Sequence, residues 1–200
     1  MAGRISAAIH SRPLRRGRGG YDRAMPQTVV YVATSLDGYI ARPDGALDWL
    51  PSPPEGEDFG WAEFIAGIDA IVMGRNTFDQ VLTFGTWPYE GTPLVVLSRT
   101  LTGVPEQLAG KATVSALEPR ALLEQLEAEG HRRVYVDGGS VVQSFLRVDG
   151  IDELIVTTVP VLIGNGIPLF GALESDLSWS LVASEQLFGG LVQSCYRRKR

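Results

Sequence analysis

The spacing of apolar positions changes repeatedly along this chain, and each change marks an element. Thr28–Thr34 is a β-branched, apolar run that predicts a buried strand. Residues 35–54 break that run with Gly38, Pro43, Gly45, Pro51, Pro53 and Pro54, and Tyr39 and Trp49 stand inside the break. Such a stretch predicts a long loop, and long loops in compact domains usually bind something. Trp61, Phe64, Ile65 and Ile68 recur at helical spacing, predicting a helix over Asp58–Gly67.

Strands are then predicted at Ala70–Met73, Pro93–Leu97, Ala112–Ser115 and Val134–Asp137, with helices at Arg75–Leu82, Glu118–Glu129 and Val141–Leu146. Ser140 is read as the cap of the last of these helices. Glu153–Val159, Trp179–Gln186 and Leu191–Arg197 predict three closing strands, the last two joined through Phe188-Gly189-Gly190 as a hairpin. Strands alternating with helices predict an α/β domain: a mostly parallel mixed sheet flanked by helices, with a C-terminal antiparallel hairpin.

Composition narrows this picture. Two hundred residues, 44% hydrophobic and 20% charged, suit one soluble domain with a substantial core. The net charge of −5 is uneven: residues 1–24 hold six arginines against Asp22, a segment of +5, so the other 176 residues carry −10. An acidic body repels phosphate backbones, so a nucleic-acid partner is not expected and any bound phosphate needs a local site. No apolar run reaches the ~18 residues of a membrane span, so no membrane partner is expected either. The lone Cys195 rules out an internal disulfide and a multi-cysteine zinc site, and no metal is expected. The reducing cytoplasm is the expected compartment. Residues 1–26 read as a disordered basic leader or a transit-type arm, with Met25 directly before the first strand, and residues 27–200 as the domain.

Three strand ends carry groups suited to phosphate. In Met73-Gly74-Arg75-Asn76-Thr77 a strand turns through one glycine into a helix, whose first N–H groups lack internal partners and whose dipole favours an anion. Arg75 adds a guanidinium fork, or is merely a solvated charge beside a tight turn. In Asp137-Gly138-Gly139-Ser140-Val141 two glycines let a ligand approach the backbone, or serve only as a capped turn. Ser98 and Arg99 end another strand, as a phosphate monoester site or a common turn pair.

These motifs, preceded by Ser35-Leu36-Asp37-Gly38 and followed by the stretch from Pro160 to Phe170, stand in the order found in the dihydrofolate reductase-like superfamily. The chain most resembles the branch containing the riboflavin-biosynthesis reductase domain, the RibD C-terminal domain, and its stand-alone members. The resemblance spans about residues 27–197. It implies an NADPH-dependent oxidoreductase that passes a hydride to a small pterin-like, pyrimidine-like or carbonyl substrate, and commonly a homodimer. A catalytically silent nucleotide-binding or sensor module of the same fold is the alternative.

Position by position, the resemblance implies that Gly74, Arg75, Asn76, Thr77, Gly138, Gly139, Ser140 and Val141 grip the cofactor phosphates. Ser98 and Arg99 would hold the 2′-phosphate, and Ala33, Leu36, Asp37 and Gly38 would line the nicotinamide. The Gly138-Gly139 peptide is often cis in such proteins. Tyr31 stands where the riboflavin branch carries lysine, and the partner deaminase motifs are absent from this sequence.

Three acids are candidates for catalysis. Asp58 falls where folate reductases carry a pterin-binding carboxylate, or is a helix cap. Asp37 is a loop carboxylate or an ordinary Asp-Gly turn. Asp137 binds a substrate amine or a ribose hydroxyl, or is a turn acid. His10 and His131 do not look catalytic, and Trp49, Trp61, Trp87 and Tyr89 form either a substrate wall or core and lid packing.

Overall fold

A computed structural model describes residues 25–200. The reading of residues 1–26 as a disordered leader therefore falls almost wholly outside the described residues. The elements follow in chain order as β1 (Gln27–Ser35), β2 (Tyr39–Ala41), α1 (Trp61–Ala66), β3 (Ala70–Gly74) and α2 (Arg75–Leu82). Next come β4 (Leu94–Leu97), β5 (Ala112–Ser115), α3 (Pro119–Ala128), β6 (Arg133–Asp137) and α4 (Gly139–Arg147). The chain closes with β7 (Glu153–Val159), β8 (Ile167–Pro168), β9 (Trp179–Gln186) and β10 (Val192–Arg198).

Eight strands form one sheet in the order β5-β4-β3-β6-β1-β7-β10-β9. All neighbours from β5 through β7 are parallel, and β10 and β9 are antiparallel. This matches the α/β expectation. Successive residues of a strand point to opposite faces, so each parallel strand feeds two cores. Val30, Val72 and Val136 face α3 and α4, where Leu122, Leu126 and Phe145 fill the layer. Val29, Ile71 and Met73 face the other way, against Phe64 of α1 and Phe78 and Val81 of α2.

Three local expectations are corrected. The helix predicted over Asp58–Gly67 shrinks to Trp61–Ala66, because Gly60 takes φ 82 and starts the helix only there. Ser140 does not cap α4; Gly138 occupies that position with φ 86 and ψ 132, and no side chain caps the helix. The Gly138-Gly139 peptide is trans, as are all peptides among the described residues, the turn being made by that positive φ.

The long loop also contains a pairing too short to leave a periodic signal. Strand β2 bonds to β8, and the Leu169 N–H donates to the Gly38 carbonyl at 3.1 Å. These contacts fold the Pro160–Phe170 stretch back over the end of β1.

Candidate active site

The parallel register sets the carboxyl ends of three strands side by side. Gly74 at the end of β3 pairs with Leu97 of β4, and Met73 pairs with Asp137 of β6. Helices α2 and α4 start directly from β3 and β6, so two helix N-termini open toward one place. An open-sheet α/β protein binds ligands at this edge.

How closely the two turns approach is shown by Gly138. A Cβ added there would lie 2.4 Å from Thr77 Oγ1 and 3.8 Å from the Gly74 backbone nitrogen. At Gly74 a Cβ would meet Val141 at 3.2 Å, and at Gly139 the Pro168 carbonyl at 2.9 Å. The two glycine turns thus share one crevice, with bare backbone on both sides of it.

That crevice opens into a groove of about 980 Å³. Gly74, Arg75, Asn76 and Thr77 form one wall, and Gly138, Gly139, Ser140 and Val141 another. Ala33 and Tyr31 of β1 contribute the floor beside Asp137. The Arg75 guanidinium lies 3.3 Å from Thr100 Oγ1 and 3.4 Å from Asp79. Ser98 and Arg99 are on the adjoining rim rather than on the wall. Ser98 Oγ accepts the N–H groups of Thr100 (3.2 Å) and Leu101 (2.9 Å), and Arg99 pairs with Glu118 at the surface.

The three candidate acids separate by environment. Asp58 is exposed and does not line the groove; its carboxylate accepts the N–H groups of Ala62 at 2.8 Å and Gly60 at 2.9 Å. Those bonds, Ala62 first, hold its pKa below the usual carboxylate value. Asp37 also stands outside the groove. The Ser35 hydroxyl donates to it at 2.6 Å, Gly164 N–H at 2.8 Å and Ile163 N–H at 3.3 Å, and its pKa is lowered, chiefly by Ser35. Leu36 and Gly38 belong to the same turn away from the groove wall, Leu36 being 62% exposed.

Asp137 differs. It lines the groove, its Oδ1 accepts the Gly138 N–H at 2.8 Å, and burial pushes its pKa up. Packed around it, Tyr135 and Tyr89 have hydroxyl pKa values raised by burial and then by the Asp137 charge.

The residues from 26 to 193 match the model of the RibD C-terminal domain family. The chain belongs to that family. It is 35% identical over 175 residues to the uncharacterized protein YwjB of Bacillus subtilis (strain 168), covering 86% of this chain and 98% of that protein. A crystal structure from Shewanella sp. PV-4, of a protein named for riboflavin biosynthesis, superposes with a TM-score of 0.83 at 44% identity, covering 87% and 99% of the two chains. The same fold recurs at TM-score 0.67 and 20% identity in the deaminase/reductase of Thermotoga maritima, named for an aminouracil reductase; the match covers 88% of this chain and 57% of that longer one.

Within this RibD C-terminal domain, the sequence marked Tyr31 as a departure from the riboflavin branch but not the contacts that hold it. Its hydroxyl donates to the Phe59 carbonyl, and Gln193 Nε2 donates to Tyr31 Oη at 3.3 Å, to Phe59 O at 3.2 Å and to Thr157 Oγ1 at 3.0 Å. Only folding brings residues 31, 59, 157 and 193 together. Trp49 and Tyr89 line the groove, whereas Trp61 and Trp87 pack against the core below it. Cys195 lies beside Glu153, and burial followed by that carboxylate pushes its thiol up to about 12, leaving it unreactive at neutral pH. Among the described residues no group of three or more His, Cys, Asp or Glu stands close enough to hold a metal ion, and no helix is long and apolar enough to cross a membrane.

Proposed function

We propose that this chain is an NADPH-dependent reductase that passes a hydride to a small pterin-like, pyrimidine-like or carbonyl substrate. The observation that carries this reading is the shared crevice at Gly74 and Gly138, where a side chain on Gly138 would collide with Thr77. Bare backbone, two helix N-termini and one guanidinium are the donor set a pyrophosphate requires. The first turns of α2 and α4, with Arg75 and Thr77, would hold it. Ser98 and Arg99, next to the Arg75–Thr100 contact, would take the 2′-phosphate and favour NADPH over NADH. Ala33 would face the nicotinamide. When bound, the dinucleotide supplies the hydride.

The chain's own contribution to chemistry is a proton and a dry floor. A carboxyl with a raised pKa keeps its proton nearer to neutral pH than an exposed one, so Asp137 serves as a proton donor or hydrogen-bond donor to the acceptor. Tyr135 and Tyr89 pack around it and keep bulk water away. The chain acts in the cytoplasm as a homodimer.

Titrating NADPH and NADH by fluorescence tests the cofactor assignment, with Arg75→Ala and Ser98→Ala as probes. NADPH should bind more tightly than NADH, and each substitution should weaken NADPH by about 1.5–3 kcal/mol, roughly tenfold to more than a hundredfold. Unchanged affinity in both variants defeats the assignment. Tight binding with no NADPH consumption across a pterin, pyrimidine and carbonyl panel favours a silent binding module instead.

A further inference from the structure

The groove runs well beyond the two helix starts. It continues along α2 beneath residues 43–50, a segment tied over the helix by Gln80 Nε2, which donates to the Gly45 carbonyl at 3.0 Å. Pro43, Leu47, Trp49, Leu50, Phe84 and Tyr89 line this far arm. Three of the six are aromatic, so the arm offers ring faces and aliphatic surface to whatever enters it.

Its charges are equally informative. Among the described residues, Arg75 is the one cationic side chain on the groove wall, and it lies at the helix start next to Asp79. Asp44, Asp79 and Asp137 are the carboxyls on that wall. Arg42, one residue from the arm, is turned to Asp48 at 2.5 and 2.9 Å and does not line the groove. Tyr31 sends its hydroxyl to the Phe59 carbonyl and brings no charge to the groove. A phosphate monoester in the arm would lose its hydration without gaining a cation, and would approach carboxylates.

Two polar groups on the lining lack partners, the buried Trp49 Nε1 and the Tyr89 hydroxyl. Tyr89 is 6% exposed and lines the groove, and its hydroxyl makes no hydrogen bond to another described residue. A hydroxyl so placed is available to a ligand's polar edge.

From these contacts we infer that the far arm takes a planar heterocycle carrying no phosphate, held between the aromatic side chains with its polar edge on Tyr89, and that it rejects phosphorylated substrates. The inference builds on the reductase reading, which assigns the helix starts to the cofactor. It sets this chain apart from any reductase whose substrate is held by a phosphate.

The test saturates the protein with NADP+ and follows tryptophan fluorescence on titration with 6-methylpterin, cytidine and cytidine 5′-monophosphate. At least one unphosphorylated probe should bind, and the monophosphate should bind about tenfold or more weakly than cytidine, the scale of one uncompensated charge. Equal or tighter binding of the monophosphate overturns the inference, and so does the failure of all three to bind. Tyr89→Phe should weaken the best-bound probe several-fold with NADP+ affinity unchanged; no change in probe affinity removes Tyr89 from the assignment. Leu47→Lys, or Asp44→Asn if the lysine variant does not fold, should shrink the preference for cytidine over its monophosphate. A preference that persists in the folded variant counts against the electrostatic argument. If NADP+ fails to bind at all, the reductase reading falls, and the same three titrations on the free protein still decide this one.

Discussion

At Gly138 backbone conformation and ligand access are set by one missing atom. Its φ of 86 lies in the region that L side chains avoid, and the Cβ position is already filled by Thr77. Gly138→Ala should therefore cost stability twice, by about 1–2 kcal/mol for the left-handed backbone and by a further shift of Thr77. Thermal denaturation should show that loss, and NADPH titration a larger one. Adding Thr77→Ala should recover part of the stability, because it removes the collision and leaves the backbone strain. Full recovery in the double variant would mean that the backbone strain is negligible.

Asp137 makes the opposite kind of prediction, one that depends on pH. Burial raises its pKa in the folded chain above the ordinary 3.8, so the native state holds this proton more firmly than the unfolded one. The linkage sign follows: the contribution to stability is complete below pH 3.8 and is lost as pH rises through the raised value. Asp137→Asn keeps an acceptor for the Gly138 N–H and has no charge to bury. Relative to the parent, the variant should gain stability as pH rises through that window, measured by denaturant titration on both sides of it. Turnover should fall and lose its pH dependence. A stability difference that stays flat with pH would show that this carboxyl titrates normally. Strand alternation already put Tyr135 on the same face as Asp137, two residues away in β6. That Tyr89, in the loop between α2 and β4, also stands near that carboxyl is a product of the fold alone.

At the scale of elements, the parallel strands were legible to within a residue or two because most are short apolar, β-branched runs covered on both faces, the edge strand β5 excepted. The start of α2 just after Gly74 was legible too, whereas α4 begins at Gly139, two residues before the predicted Val141, because Gly138 rather than Ser140 takes the cap position. What could not be read is pairing. Nothing local orders β5-β4-β3-β6-β1-β7-β10-β9, and the two-residue β8 has no period of its own. A carboxylate stands beside the β2–β8 backbone pairing. Asp37, weighed as a catalytic acid, accepts the backbone N–H groups of Ile163 and Gly164 and so ties the segment before β8 to the end of β1. Asp37→Ala should speed amide hydrogen exchange at Ile163 and Gly164 while the core of β1 stays protected. Because its folded pKa is depressed, chiefly by Ser35, this anchor is present above the ordinary carboxylate value and is lost as pH falls through the lowered one. The same two amides should therefore exchange faster, relative to their neighbours, in acid. Unchanged exchange in the variant would leave β2–β8 pairing to the backbone alone.

Across the whole molecule, charge acts against the dinucleotide proposed for the groove. The 176 residues after position 24 carry −10, and a dinucleotide is itself an anion, so on the proposed reading the long-range field would oppose its approach while Arg75 and two helix N-termini would attract it locally. Salt separates the two contributions, because screening beyond about 8 Å at 0.15 M removes the long-range part first. Deleting residues 1–24 takes +5 from the chain and leaves every groove-lining residue in place. At physiological ionic strength the NADPH affinity of the shortened chain should stay within about threefold of the full one, since most of the field is screened there. In about 10 mM salt the shortened chain should bind more slowly than the full one, by stopped-flow fluorescence, because its repulsion is unmasked and the Debye length reaches about 30 Å. A large loss of affinity at physiological salt would place the arginines of residues 1–24 at the cofactor and require the phosphate site to be redrawn.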